Sequence, residues 1–342
     1  MLNYNLFLIL YFLCRKAPIS LILFALLLSC NGNSVEWNLP KGFPVPEVPK
    51  DNLISKEKVE LGKALFFDPI LSRDSTISCA TCHNPTKAFT DNLTASEGLN
   101  GVKTARNTPT LLNVSYSPYF FMDGGVPTLE MQSLAPIDGH QELGFTVKEG
   151  VERLEKSPRY LDLFNRAFGT SPTAFGLTRA IASYERSLVA ANSKYDQFSR
   201  SNDSSLLSEN ELMGLSIFFA DSVGCVTCHP PPHFSTFEFE NNGIFKAYSD
   251  TGRQRITMDF EDRAKFKVPT LRNIEYTWPY MHNGKVSSLE EVISLYVDTP
   301  IQNKFLSKEI RKPKLNMLQK EQLLTFLRCL SDTVTSKSID FK

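Results

Sequence analysis

Cys79-Ala80-Thr81-Cys82-His83 and Cys225-Val226-Thr227-Cys228-His229 are two copies of Cys-x-x-Cys-His in one chain of 342 residues. The pentapeptide is the attachment signature of c-type haem. Two thiols at this spacing match the two vinyl groups of the porphyrin, and the histidine that follows is placed to bind the iron. Paired zinc hooks are the alternative for two Cys-x-x-Cys units. Such hooks lie closer in sequence and do not require a histidine after each. The reading is therefore two covalent c-type haems, attached through Cys79, Cys82, Cys225 and Cys228, with His83 and His229 as proximal ligands.

The other cysteines fit this assignment. Of seven in all, Cys14 lies in the N-terminal address segment, Cys30 directly follows it as the expected lipid site, and Cys329 lies in an apolar helical pattern. Only Cys329 is left over, so an internal disulfide is not expected in the mature chain. The charge is balanced, with 37 Lys and Arg against 37 Asp and Glu. No basic field or tail points to nucleic acid.

Residues 1–29 read as a signal peptide. Arg15 and Lys16 precede the apolar run Ala17 to Leu28, and Leu27-Leu28-Ser29-Cys30 resembles a bacterial lipobox. The expectation is a bacterial periplasmic or outer-surface protein, lipid-anchored at Cys30. Residues 30–54, with Pro40, Pro44, Pro46 and Pro49, read as an extended tether, with order beginning near Ser55. Beyond it the pattern is helical. Capping signals stand at Thr146/Glu149, Ser208/Glu211, Ser288/Glu291 and Asn316/Gln319. A helical segment precedes each haem motif, a weak internal repeat. The expectation is an all-α chain of two cytochrome c-like haem domains, 55–200 and 201–335, with long loops and the active site near their interface. The boundary is placed in the polar stretch Ser199 to Ser205.

Several further stretches carry a family resemblance: Leu61-Gly62-Lys63-Ala64-Leu65-Phe66-Phe67-Asp68, Asn107-Thr108-Pro109-Thr110-Leu111-Leu112-Asn113, Pro269-Thr270-Leu271-Arg272-Asn273 and Pro279-Tyr280-Met281-His282-Asn283-Gly284. In this order, with both haem motifs, they resemble the bacterial di-haem cytochrome c peroxidase and MauG family from about Ser55 to Leu330. The resemblance implies a peroxidase that reduces hydrogen peroxide to water with electrons from a small cytochrome c or cupredoxin. It implies a peroxidatic first domain and an electron-transfer second domain, and often a homodimer. It places a catalytic acid/base at Glu142, with Gln132 as its companion, downstream of Asp123-Gly124. It also implies one calcium, bound by the side chain of Asn107 and the carbonyls of Thr277 and Pro279.

Three departures from the family pattern stand out. The loop Ser96 to Arg106 holds no histidine to block the first iron, so that iron is expected to be open without reductive activation; His140 is the one substitute. The register of the second iron's distal ligand, often a methionine, falls on Tyr296, with Met281 the nearest alternative. Met122 stands where the family has a tryptophan between its haems. Tyr296 and the missing histidine favour a rival, a MauG-like enzyme that oxidises residues of a partner protein. Met122 disfavours it. A non-catalytic di-haem electron carrier is the reading from a different class. His140 and His233 are expected to be solvent or loop histidines, and His282 to contact the surroundings of the second haem.

Overall fold

A computed structural model describes residues 35–298, 303–332 and 339–341. The expected signal segment and Cys30 lie outside the described residues. Four short strands, β1 (Val35–Trp37), β2 (Phe239–Glu240), β3 (Phe266–Lys267) and β4 (Ile339–Phe341), form two antiparallel pairs, β1 with β4 and β2 with β3. The rest of the regular structure is helical.

The first half runs from α1 (Lys56–Phe67) through α2 (Cys79–Cys82), α3 (Leu129–Gln132), α4 (Leu134–Asp138), α5 (Val147–Leu154) and α6 (Pro158–Phe168) to α7 (Ala174–Arg186). Ser55 caps α1 by accepting from the Lys58 amide, and Leu61, Gly62, Leu65 and Phe66 are buried. This face lies along α7. A Cβ built on Gly62 would fall 1.9 Å from the Ala180 carbonyl oxygen, so only glycine permits this approach. Leu61, Leu65, Tyr160, Phe164, Leu177 and Ile181 close the core beneath the crossing.

The second half contains α8 (Lys194–Ser201), α9 (Glu209–Phe219), α10 (Cys225–Cys228), α11 (Gln254–Thr257), α12 (Leu289–Val297) and α13 (Met317–Arg328). It repeats the same device. A Cβ on Gly214 of α9 would fall 1.9 Å from the Gln322 carbonyl oxygen of α13. In each half, then, a glycine-notched helix leads into the Cys-x-x-Cys-His turn and crosses a later helix at backbone contact. Capping boxes at Thr146/Glu149, Ser208/Glu211 and Asn316/Gln319 start α5, α9 and α13. At α12 only half of the motif forms. Ser288 accepts from the Glu291 amide, but the Glu291 carboxylate accepts from Ser287 instead.

Two segments depart from the sequence reading. The supposed tether is packed well before Ser55. Phe43 sits edge-on to Tyr116 of the first half and His233 of the second, with centroids 5.7 Å apart in both cases. The Tyr116 hydroxyl donates to the Pro44 carbonyl (2.8 Å), Pro46 is buried, and Asn52 is fully enclosed. Prolines keep the segment extended, and its aromatic and amide side chains anchor it as a strap across both halves. α8 also packs elsewhere than expected. Tyr195 and Phe198 join the second core, and Asp196 forks with Arg272 at 2.8 Å on both arms. The two cores therefore part before Ser193, upstream of the polar stretch Ser199 to Ser205.

Candidate haem sites and active site

Both Cys-x-x-Cys-His units form one short helical turn whose C-cap is the histidine. His83 Nδ1 lies 3.0 Å from the Phe89 carbonyl oxygen, and His229 Nδ1 lies 2.9 Å from that of Phe234. A carbonyl only accepts, so Nδ1 carries the proton in each ring. Nε2 is left as a bare donor for a metal, the arrangement of a ligating imidazole. Burial lowers the pKa of both rings, which keeps them in the neutral ligand form. Burial also pushes the Cys79 and Cys225 thiols up to about 12. A zinc hook needs thiolates. Among the described residues, no three His, Cys, Asp or Glu side chains converge as a metal site.

The second motif opens onto a mostly apolar, partly open cleft. Cys225, Cys228 and His229 line one part of it, and Met281, Ile293 and Tyr296 line another. Tyr296 is carried by α12, whose Leu289 and Ile293 are buried. Burial raises the Tyr296 phenol to about 12, partly offset by the Asn242 amide, whose Nδ2 lies 3.3 Å from Oη. The same Nδ2 is 3.4 Å from Met281 Sδ. These residues fit a covalent haem: paired thiols, an imidazole with free Nε2, an apolar cleft, and candidate ligands in its lining. His282 lies close by, stacked on Phe266 at 4.0 Å and on Tyr248 at 5.7 Å.

Around the first motif, Glu142 stands in the turn after α4. Its amide donates to the Gly139 carbonyl (2.9 Å) and its own carbonyl accepts from Leu99 (3.1 Å). The histidine-free loop Ser96 to Arg106 packs directly against this turn, where a Cβ on Gly98 would fall 1.8 Å from the Gln141 oxygen. Glu142 is exposed, yet the protein packed around its carboxyl raises its pKa by desolvation. Its carboxylate is near enough to the Cys79 and Cys82 thiols to disfavour their ionisation. Gln132 is half-buried at the end of α3, and its side-chain amide has no partner among the described residues. His140 is exposed.

Asp123-Gly124, upstream of Gln132 and Glu142, is locked from both halves. Asp123 is fully buried and pairs with Arg106 (2.7 Å) and Arg255 (2.5 Å), while Arg253 donates to the carbonyls of Asp123 and Gly124. The Met122 carbonyl accepts from the Lys267 amide of β3 (2.7 Å). Met122 thus lies where the two halves meet.

Asn107 is buried beside the segment that carries Thr277 and Pro279. Its amide donates to the His282 carbonyl (3.0 Å) and its Nδ2 to that of Leu93 (2.7 Å), leaving Oδ1 uncommitted. Asn92 takes the carbonyls of Tyr276 and Trp278, both at 2.8 Å. Those of Thr277 and Pro279 accept no hydrogen bond among the described residues.

Sequence reasoning did not single out Asn242 or the Asp196–Arg272 fork. Asn242 sits in a loop without periodicity, and the fork joins positions 76 apart. His233 is a loop histidine in a turn, but half-buried, with its ring 4.3 Å from that of Tyr116 and Nδ1 unpartnered.

A family model described as di-haem cytochrome c peroxidase matches residues 56–204. The methylamine utilization protein MauG of Methylorubrum extorquens is 36% identical over 286 residues, covering 82% of this chain and 80% of that protein. The cytochrome c551 peroxidase of Nitrosomonas europaea is 34% identical, covering 87% of this chain and 85% of that one. This chain belongs to the di-haem cytochrome c peroxidase family. It is a cytochrome c peroxidase-type oxidoreductase, and membership implies two c-type haems. A crystal structure of a MauG-like protein associated with microbial copper homeostasis superposes with a TM-score of 0.82 at 32% identity, over 89% of this chain and 98% of that one. The di-haem peroxidase BthA of Burkholderia thailandensis shares the fold, with a TM-score of 0.71 at 21% identity, over 88% of this chain and 93% of that one. For this di-haem peroxidase, two motif-bearing halves joined through Asp123 and Lys267 form the scaffold.

Proposed function

We propose that this family member reduces hydrogen peroxide to water, H2O2 + 2H⁺ + 2e⁻ → 2H2O, with electrons from a small cytochrome c or cupredoxin. The observation that carries the reading is the Glu142 turn, packed at backbone contact against the histidine-free loop and within electrostatic reach of the first haem motif. When bound, the haem on Cys79, Cys82 and His83 supplies an iron that accepts peroxide, and the haem on Cys225, Cys228 and His229 supplies an electron entry port. Glu142 takes the proton that peroxide must lose and returns it to the departing oxygen, one group serving as base and then acid. Its raised pKa suits the second duty as well as the first. Gln132, with its free amide, orients the oxygen that Glu142 protonates. The loop Ser96 to Arg106, braced against the Glu142 turn, offers no histidine to close the site. Tyr296, in the lining of the second motif's cleft, would supply a ligand to the second haem.

The unclaimed Oδ1 of Asn107 and the free carbonyls of Thr277 and Pro279 form the protein part of a calcium site. Three oxygens leave room for the waters such an ion keeps. Residues 1–29 direct export, and Cys30 carries the lipid of a periplasmic or outer-surface protein. A second reading, oxidation of residues on a partner protein, is favoured by one observation: Tyr296 lines the cavity of the second motif, and α12 holds no methionine.

The test is Glu142→Gln in the haem-loaded enzyme, with donor oxidation followed by stopped flow. Loss of such a group costs about 10²–10⁴-fold in turnover. Turnover within about threefold of wild type would remove Glu142 from the mechanism. Rapid donor oxidation by wild type supports peroxide reduction, whereas slow donor turnover with a long-lived oxidised spectrum supports the second reading.

A further inference from the structure

Two potential iron ligands line the cavity of the second motif, the Tyr296 phenol and the Met281 thioether, and one side chain touches both. Asn242 Nδ2 lies 3.3 Å from Tyr296 Oη and 3.4 Å from Met281 Sδ. The orientation of this amide is not arbitrary. Asn242 Oδ1 lies 3.3 Å from the Ile244 backbone nitrogen, which can only donate, and 3.1 Å from the Tyr248 hydroxyl. The oxygen must face that pair, so the NH2 group must face the tyrosine and the methionine.

The loop that presents Asn242 is itself fixed. The Asn241 amide donates to Ser307 Oγ (2.8 Å), the Ser307 amide donates to the Asn241 carbonyl (3.0 Å), and Asn241 Oδ1 accepts from Gly243 (2.8 Å). Gly243 takes a φ of 69°, which glycine adopts without strain. The carboxamide is therefore a preset donor of two N–H groups rather than a mobile surface side chain.

We propose that Asn242 is a positioning residue that selects Tyr296 over Met281 as the distal ligand of the second haem. One N–H stabilises the phenolate oxygen in its ligating form, since a hydrogen bond to an anion is stronger than one to a neutral acceptor. The other engages one of the two lone pairs of the Met281 sulfur, which draws density from the sulfur and makes it the weaker ligand. Both effects act in the same direction, and both come from one amide. The inference rests on the Tyr296 ligation proposed above. It adds a cause that neither the ligand's position nor its type supplies.

The experiment uses haem-loaded full-length protein in the ferric state. Wild type is examined first by resonance Raman and optical spectroscopy; absence of tyrosinate–iron modes would overturn the ligation reading itself, before any variant is made. Given those modes, two variants follow. Asn242→Asp is isosteric and lacks the N–H groups, and Asn242→Leu removes the polar group altogether. Both are expected to lose the tyrosinate–iron modes, and the potential of the second haem should rise. A far-red methionine–iron band should replace them. In Asn242→Leu combined with Met281→Ala, that band should vanish and the second iron become high-spin. Haem content and far-ultraviolet circular dichroism establish that the variants fold. Retention of the tyrosinate modes at unchanged potential in both single variants would overturn the proposal.

Discussion

Replacing Arg272 by Leu should destabilise the protein by several kcal/mol, and the structure sets the size. Arg272 is 1% exposed, and its guanidinium forks onto Asp196 with both arms at 2.8 Å. Its Nε donates to the Pro232 carbonyl at 2.7 Å, and the cation lies 4.9 Å from the Phe43 ring. Asp196 also accepts from the amide and hydroxyl of Ser193. Burial alone would raise its pKa, but the Arg272 fork and Ser193 hold the carboxyl below its usual range. Removing the cation leaves a buried carboxylate with only the Ser193 bonds. Breaking a buried pair from one side costs about 3–5 kcal/mol. The orphaned Pro232 carbonyl adds about 1 kcal/mol. Arg272→Leu is thus expected to lose about 4–6 kcal/mol. Arg272→Leu with Asp196→Leu should recover most of it, because no uncompensated charge remains. The assay is urea denaturation of the haem-loaded protein followed by circular dichroism, with wild type and the two variants compared at equal slope. A single-variant loss under about 1 kcal/mol, or a double variant no better than the single, would refute the reasoning. The depressed pKa gives a further check. The Asp196 contribution is present above its unfolded pKa and is lost as pH falls through the lower folded value.

Three other outcomes follow from the same physics. Glu142 has its pKa raised by desolvation, so the acid limb of kcat/KM should lie above the usual carboxylate range, rising with pH as the base forms, and should disappear in Glu142→Gln. Glu185 is pushed by burial to about 8, with Arg186 opposing, and its Oε2 has no partner. Its folded pKa exceeds the unfolded one, so its stability contribution is complete below the ordinary carboxylate range and fades as pH climbs towards 8. Glu185→Gln should therefore be more stable than wild type at neutral pH, by about 3 kcal/mol from the linkage slope, and the gap should close in acid when Tm is measured against pH. Gly62→Ala and Gly214→Ala each push a methyl to 1.9 Å from a carbonyl oxygen. Each should lower stability by about 1–3 kcal/mol or more in denaturant titrations, and the two losses should be similar because the contact is the same.

Much of this protein was legible because its signals are local. Cys-x-x-Cys-His places its three functional atoms within five residues, so no tertiary structure is needed to read it. The capping residues of α5, α9 and α13 act within four residues of one another, and they form as expected. At α12, by contrast, the Glu291 carboxylate had a competing donor in Ser287, and the motif formed only in part. The strap at Phe43 reads in sequence as an extended tether because proline signals extension, and extension says nothing about what the chain lies against.

The sequence by itself determined the two Cys-x-x-Cys-His motifs, the helical class and the family, since these rest on spacings shorter than a helix and on motifs in a set order. Tertiary structure alone decided where the two cores part, how Asp123 is clamped by Arg106 and Arg255, and that one amide touches both Tyr296 and Met281. Those contacts join positions far apart along the chain. A short motif fixes which groups are available, but only packing fixes which distant groups share a dielectric, a hydrogen bond or a cavity wall.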